Sequence, residues 1–166
     1  MEYFEGLLAN YKSKGVIIDT NLLLMYFVGL YDPLRIPEFK RTMVFAVEDF
    51  YTLLGFFNFF DRVITTPNIL TEVNSLAGQL PSDIKVLFNY VFAVQLGRLK
   101  EYYRESSGLA QLPHFNKFGL ADSSIADVAQ GKYLVLTDDL SLFAYLQNIG
   151  IDAINFNHIR TLNWKP

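Results

Sequence analysis

Short apolar runs that alternate with helix-patterned segments limit this chain more than any other feature. Val16-Ile17-Ile18 reads as a buried strand that ends at Asp19-Thr20-Asn21, and a helix-like apolar run follows from Leu22. Residues 62–65 read as a second strand. Thr66-Pro67 then has the form of a helix start, with Thr66 at the N-cap and Pro67 at the first helical position. Ile69, Leu70, Val73, Leu76 and Ala77 give that helix one apolar stripe. Tyr133-Leu134-Val135-Leu136 is a third strand, ending at Thr137-Asp138-Asp139. A helix over 141–148 stops at Gly150, and residues 151–156 form a fourth strand. Such alternation specifies an α/β fold built on a parallel sheet.

The remaining segments fill in around this frame. A long helix is predicted over 82–104, and a loop over 108–119 containing Pro113 and His114. A further helix begins near Ala121-Asp122, with Ile125, Ala126 and Ala129 on one face, and Gly131 ends it. Residues 31–60 hold Pro33, Pro37 and the aromatic-rich stretch from Phe50 to Phe60. They read as one or two helices inserted after the first strand. No repeat, linker or low-complexity segment divides the 166 residues, so the chain is expected to form one domain over 1–166.

Composition narrows the chemistry. With no cysteine, a thiolate zinc site, a disulfide framework and a cysteine nucleophile are all excluded. No P-loop and no Ser/His nucleophile arrangement is present. Glu2 and Glu5 stand where a secretory signal would carry positive charge. The apolar run from Val16 to Leu30 is too short for a span and contains Asp19 and Asn21. A cytoplasmic protein without a membrane segment is the expectation. The net charge of −3 runs against the basic balance of most nucleic-acid binders, unless several acids share a pocket in which a divalent ion cancels their charge.

Four acids satisfy that condition. In an open parallel sheet ligands bind at the carboxyl ends of the strands. Asp19 follows the first strand, and Asp138-Asp139 the third, while Glu72 and Asp122 lie near the starts of two helices at that rim. Like charges gathered and partly buried repel one another, and a hard divalent cation relieves the repulsion. Oxygen ligands without cysteine or clustered histidine point to Mg²⁺ or Mn²⁺. Asp127, five residues beyond Asp122, falls about 140° away around the helix and reads as a surface or outer group.

These residues resemble the motifs of the PIN domain, the nuclease fold of many toxin–antitoxin ribonucleases. Val16-Ile17-Ile18-Asp19-Thr20-Asn21 resembles its first motif, an apolar strand ending in Asp-x-Asn. Glu72 in Leu70-Thr71-Glu72-Val73 resembles its second acid, Asp122 in Gly119-Leu120-Ala121-Asp122 its third, and Asp139 in Leu136-Thr137-Asp138-Asp139 its fourth. The likeness runs from Val16 to about Phe156, with a longer stretch between Asp19 and Glu72 than in the small toxins. It implies a three-layer α/β/α sandwich around a parallel sheet of four to five strands. It also implies an endoribonuclease in which Asp19, Asp122 and Asp139 hold the metal and Glu72 completes the shell or acts as general base. Asn21, Thr137 and Asp138 would orient carboxylates or water.

Partners are read from basic and aromatic side chains. Arg98, Lys100 and Arg104, with Tyr102 and Tyr103 between them, suit single-stranded RNA, as do His114 and Lys117 if their loop flanks the site. A solvated helix end explains the first three equally well. The aromatic stretch is foremost core material, with room for an antitoxin or homodimer surface. The alternatives to a ribonuclease are a PIN-like interaction module without activity and a structure-specific DNA nuclease.

Overall fold

The computed structural model describes residues 2–161, with side chains from Phe4 to Arg160. The sheet grows outward from β1 (Val16–Ile18), whose three residues are wholly buried. β2 (Val63–Thr65) and β4 (Leu134–Thr137) flank it, and β3 (Leu99–Glu101) and β5 (Ala153–Asn155) form the edges. The order is β3-β2-β1-β4-β5 with every pair parallel, as a run of buried apolar strands joined by helices demands. Register is set by Val16 opposite both Val63 and Leu134. Helices cover the sheet in the three-layer α/β/α arrangement expected from the sequence.

The helices follow the strands in order. α1 (Glu2–Tyr11) precedes β1, and α2 (Thr20–Tyr31) follows it. α2 is apolar all round, and every residue from Leu22 to Gly29 is buried, because the inserted segment and the helices that follow β2 pack around it. That insertion is a 3₁₀ turn (Pro33–Arg35) and α3 (Val47–Phe59). Its rings go mostly inward: Phe50, Phe56 and Phe60 are buried, and Phe57 stacks on Tyr26 at 3.6 Å between centroids. Asp49 binds its own Ala46 N–H at 2.7 Å and receives Arg160 Nε and Nη2, each at 2.9 Å. That pairing ties the insertion to α9 (Phe156–Thr161), 111 residues away.

α4 (Pro67–Ala77) starts as its sequence specifies, the Thr66 hydroxyl accepting from Ile69 N–H at 3.3 Å and Pro67 entering the first turn. α5 (Ser82–Leu96) is shorter than the helix expected over 82–104. It stops at Gly97, and Leu99–Glu101 leaves as β3, pairing with Val63–Thr65. Competition from the open edge of β2 decides this, since a backbone row left unpaired there would lose its hydrogen bonds. The loop expected over 108–119 is also partly helical. α6 (Ser106–Leu109) and the first turn of α7 (Phe115–Ala129) occupy it, and α7 breaks at Gly119, whose φ is +72°. α8 (Leu140–Asn148) and a turn at Gly150 lead to β5. No helix among the described residues is long and apolar enough to cross a membrane.

Two glycines in helices test this packing in opposite directions. A methyl on Gly29 would enter the Phe50 ring, whereas one on Gly6 meets nothing within 4 Å. Gly29→Ala is expected to lose about 1–3 kcal/mol through overpacking. Gly6→Ala is expected to be neutral or to gain up to ~1 kcal/mol from helix propensity. Urea unfolding followed by circular dichroism measures both, and a Gly29→Ala chain as stable as the native one would contradict the α2–α3 contact.

Candidate active site

Asp19 leaves the central strand directly into α2, and it caps that helix. Its Oδ1 accepts from Leu22 N–H at 3.1 Å, while Oδ2 accepts from Asp138 N–H at 2.9 Å across the β1–β4 seam. The carboxyl is buried, and the Thr137 hydroxyl gives it a further hydrogen bond. Burial, and after it the charge of Asp138, pushes its pKa well above the usual carboxylate range against the pull of these donors.

Asp138 and Asp139 then diverge, as neighbours at a strand end do. Asp138 turns toward Asp19, its Oδ1 accepting from Asn21 Nδ2 at 3.4 Å, while its backbone carbonyl accepts from Asn157 Nδ2 at 2.9 Å. Burial holds its pKa up, opposed by the bonds from Asp19 and Asn21. Asp139 is exposed and caps α8, its Oδ1 accepting from Ser141 and Leu142 N–H at 2.6 and 3.0 Å. Thr137 Oγ1 meanwhile accepts from Asp139 N–H at 3.0 Å, so this one hydroxyl joins both ends of the acid row.

Glu72 and Asp122 face each other from α4 and α7. The Thr20 hydroxyl donates to Glu72 Oε2 at 2.9 Å and brings that exposed glutamate over the end of β1. The two helices are held together by buried hydroxyls: Ser124, within α7, donates to the Ala121 carbonyl at 2.6 Å and lies 2.8 Å from the α4 cap Thr66 Oγ1. Asp122 is half-buried. Its pKa is pushed up to about 7 by burial first, then by the charges of Asp139, Glu72 and Asp138. Five carboxyls thus act on one another at a single rim, and no Lys or Arg among the described residues is ion-paired with any of them.

The donor set is that of a hard divalent cation. As the side chains stand, no three acids or histidines among the described residues are grouped to hold one ion. The reason is visible in the bonds above: Asp19 and Asp139 point at backbone N–H groups and Glu72 at Thr20. Asp122 carries no hydrogen bond or ion pair of this kind, and an exposed Glu72 can turn without moving its helix. The residues fit such an ion in the chemistry of their donors, while their side chains as they stand do not converge on one point.

A cleft of about 600 Å³ opens from this acid pair. It is lined by Asn68, Thr71 and Glu72 of α4, by Phe118 and Asp122 of α7, and by Tyr103 and Arg104 after β3. Of the basic residues expected to meet RNA, only Arg104 lines it. Arg98 precedes β3 at the opposite, amino-terminal edge of the sheet, bonding Gln95 at 3.3 Å and lying beside Tyr26. Lys100 lies within edge strand β3 rather than on a helix end. His114 is turned away. Its Nδ1 lies 2.6 Å from the Tyr145 hydroxyl, its Nε2 is buried without a partner, and burial lowers its pKa. Lys117 sits over the Phe118 ring at 4.9 Å. Asp127 pairs with Arg104 at 2.6 Å, which gives that surface acid a definite role.

Thr20, Asn157 and the Thr66–Ser124 pair were not singled out from the sequence. Thr20 lies inside the Asp19-Thr20-Asn21 motif, which could have drawn attention to it; the others depend on contacts across the fold.

The raised Asp122 pKa sets a pH dependence of stability. A carboxyl that holds its proton more tightly when folded binds more protons in the native than in the unfolded chain, so stability falls as pH rises through the interval between the two pKa values, here from about 4 to about 7. In EDTA, Asp122→Asn is expected to be more stable than the native chain at pH 8, by roughly 2 kcal/mol after allowing for partial exposure, and equal to it at pH 4. Thermal unfolding across that range checks this, and parallel curves for the two chains would remove the electrostatic account of the cluster.

Comparison with models of known protein families and with curated proteins gave no match to this chain.

Proposed function

We propose that this chain is a metal-dependent endoribonuclease of PIN-like design, hydrolysing RNA phosphodiester bonds in the cleft between α4 and α7. The observation that carries the reading is five carboxyls at the carboxyl rim of a parallel sheet, without a basic ion-pair partner among the described residues; two of the five, Glu72 and Asp122, line that cleft. Such an arrangement stores repulsion that folding alone does not repay, and active sites are where this is tolerated.

Asp19, Glu72, Asp122 and Asp138 or Asp139 are the residues that would hold Mg²⁺ or Mn²⁺. When bound, the ion supplies charge stabilisation for the phosphorane-like transition state and a more acidic water. The protein's own contribution is positional. Leu22 N–H, Asp138 N–H and the Thr137 hydroxyl fix the Asp19 carboxyl so that it cannot rotate away from the rim. Asn21 does the same for Asp138. Glu72, tethered through one oxygen by Thr20 at the cleft wall, is placed to accept the proton of an attacking water. An antitoxin or a second copy of the chain would meet the surface beyond the cleft.

A second reading has one observation in its favour. Asp19 and Asp139 both serve as helix caps, and no three acids converge on a single point as the side chains stand. A binding module that retains these residues for their capping would look the same.

Manganese separates the two. Incubation of a mixed single-stranded and transfer RNA pool with the native chain and Mn²⁺ is expected to give cleavage that EDTA abolishes. Asp19→Asn and Asp122→Asn are each expected to lower it by about a hundredfold or more. Absence of cleavage together with absence of Mn²⁺ binding by calorimetry would leave the interaction module. Faster cleavage of flap DNA than of RNA would favour the DNA nuclease.

A further inference from the structure

The chain leaving β3 alternates in and out as a strand does, and this sorts two neighbouring tyrosines. Tyr102 continues the ladder through its N–H to the Thr65 carbonyl at 3.0 Å, and its hydroxyl accepts from Tyr133 at 3.0 Å. It is committed to the fold. Tyr103, the next residue, turns the other way into the cleft and is 74% exposed. A large ring left this open, within a concave site and beside an acid pair, is surface that folding does not use.

Arg104 follows it on the same wall. Its closest contact is Nε to Asp127 Oδ2 at 2.6 Å, on the face of α7 away from Asp122. A carboxylate on the Nε side steadies the long side chain and leaves the outer guanidinium edge for another acid, the geometry by which arginine takes a phosphate. Arg104 is the basic residue lining a cleft that Glu72 and Asp122 also line. The cleft therefore brings together two carboxyls, a steadied cation and an open ring, with the uncharged polar Asn68 and Thr71 also lining it.

We propose that Tyr103 and Arg104 form a subsite for one unpaired nucleotide next to the acid cluster, the ring stacking on its base and the guanidinium taking its phosphate. The identification of the polymer as RNA rests on the nuclease reading above; the stacking and phosphate chemistry does not. Aromatic stacking serves any base, but only one whose face is uncovered, so the subsite selects single strands over duplex. Asp127 acts as a positioning residue for Arg104.

The test is fluorescence anisotropy of a fluorescein-labelled twelve-nucleotide oligouridine on the full chain, in Ca²⁺ to hold the acids neutralised. The same strand annealed into a blunt duplex is the comparison. Tyr103→Ala is expected to weaken single-strand binding about tenfold, and Tyr103→Phe to restore it, since stacking needs the ring and not the hydroxyl. Arg104→Ala is expected to weaken binding and to reduce its salt dependence by about one phosphate contact. Asp127→Asn is expected to weaken binding less than Arg104→Ala and to leave the salt slope unchanged. Unchanged affinity in a folded Tyr103→Ala chain overturns the subsite, as does equal binding of the duplex or no binding of either. If native protein cleaves RNA with Mn²⁺ while Tyr103→Ala alters neither affinity nor KM, the subsite falls and the nuclease stands. If the strand binds through Tyr103 but is never cleaved, the nuclease falls and the subsite stands.

Discussion

The Asp19 carboxyl joins the end of β1 to the start of α2 and to the end of β4 through three hydrogen bonds, and much of the rim is arranged around it. A buried carboxylate is costly, and each donor it recruits repays part of that cost by favouring the charged form. The donors are backbone groups whose positions are fixed by the sheet and by the helix start, so the carboxyl cannot relax toward solvent. Its neighbours inherit the strain. Asp138 is brought close because its own N–H is one of the donors, and Asp139 is displaced outward to cap α8.

Charge repulsion thus joins Asp19 to Asp138, and Asp122 to Asp139, Glu72 and Asp138. α4 and α7 carry Glu72 and Asp122 to the same rim, and the hydroxyl contact between Thr66 at the start of α4 and Ser124 within α7 holds the two helices together. None of these pinning contacts is itself charged. The fold positions its acids with neutral hydroxyls and backbone amides, and among the described residues none of these carboxyls is ion-paired with a basic side chain.

Local signals in the sequence carried well into the fold. Thr66-Pro67 starts α4 as capping chemistry requires, Gly131 sits beyond α7 with φ +67°, and Asp122 feels the charges of Asp139, Glu72 and Asp138 from distant segments, though among the described residues no three acids are grouped as they stand. What could not be read was decided by tertiary competition. Leu99-Lys100-Glu101 has neither the apolarity nor the branching of a strand, and only the open edge of β2 draws it out of the helical pattern. Arg98 and Lys100 lie outside the cleft for that reason. His114 has no local mark to distinguish a loop histidine at a phosphate from one stacked against Tyr145. The Asp49–Arg160 pairing spans 111 residues and the Thr20–Glu72 bond spans 52, separations at which no spacing rule applies. The choice between Asp138 and Asp139 turns on side-chain direction, which two adjacent identical residues do not reveal.

The edge strand β3 has a bearing on where the sheet stops growing. An open strand edge offers a row of backbone donors and acceptors to any passing chain, and a hydrophobic one invites growth into larger aggregates. Here the edge is three residues long and presents Lys100 and Glu101, both exposed. A foreign strand would have to accept two opposite charges in succession to extend the sheet. The polarity that hid this strand from sequence patterning is thus also a guard against polymerisation, placed where the sheet is most open to it.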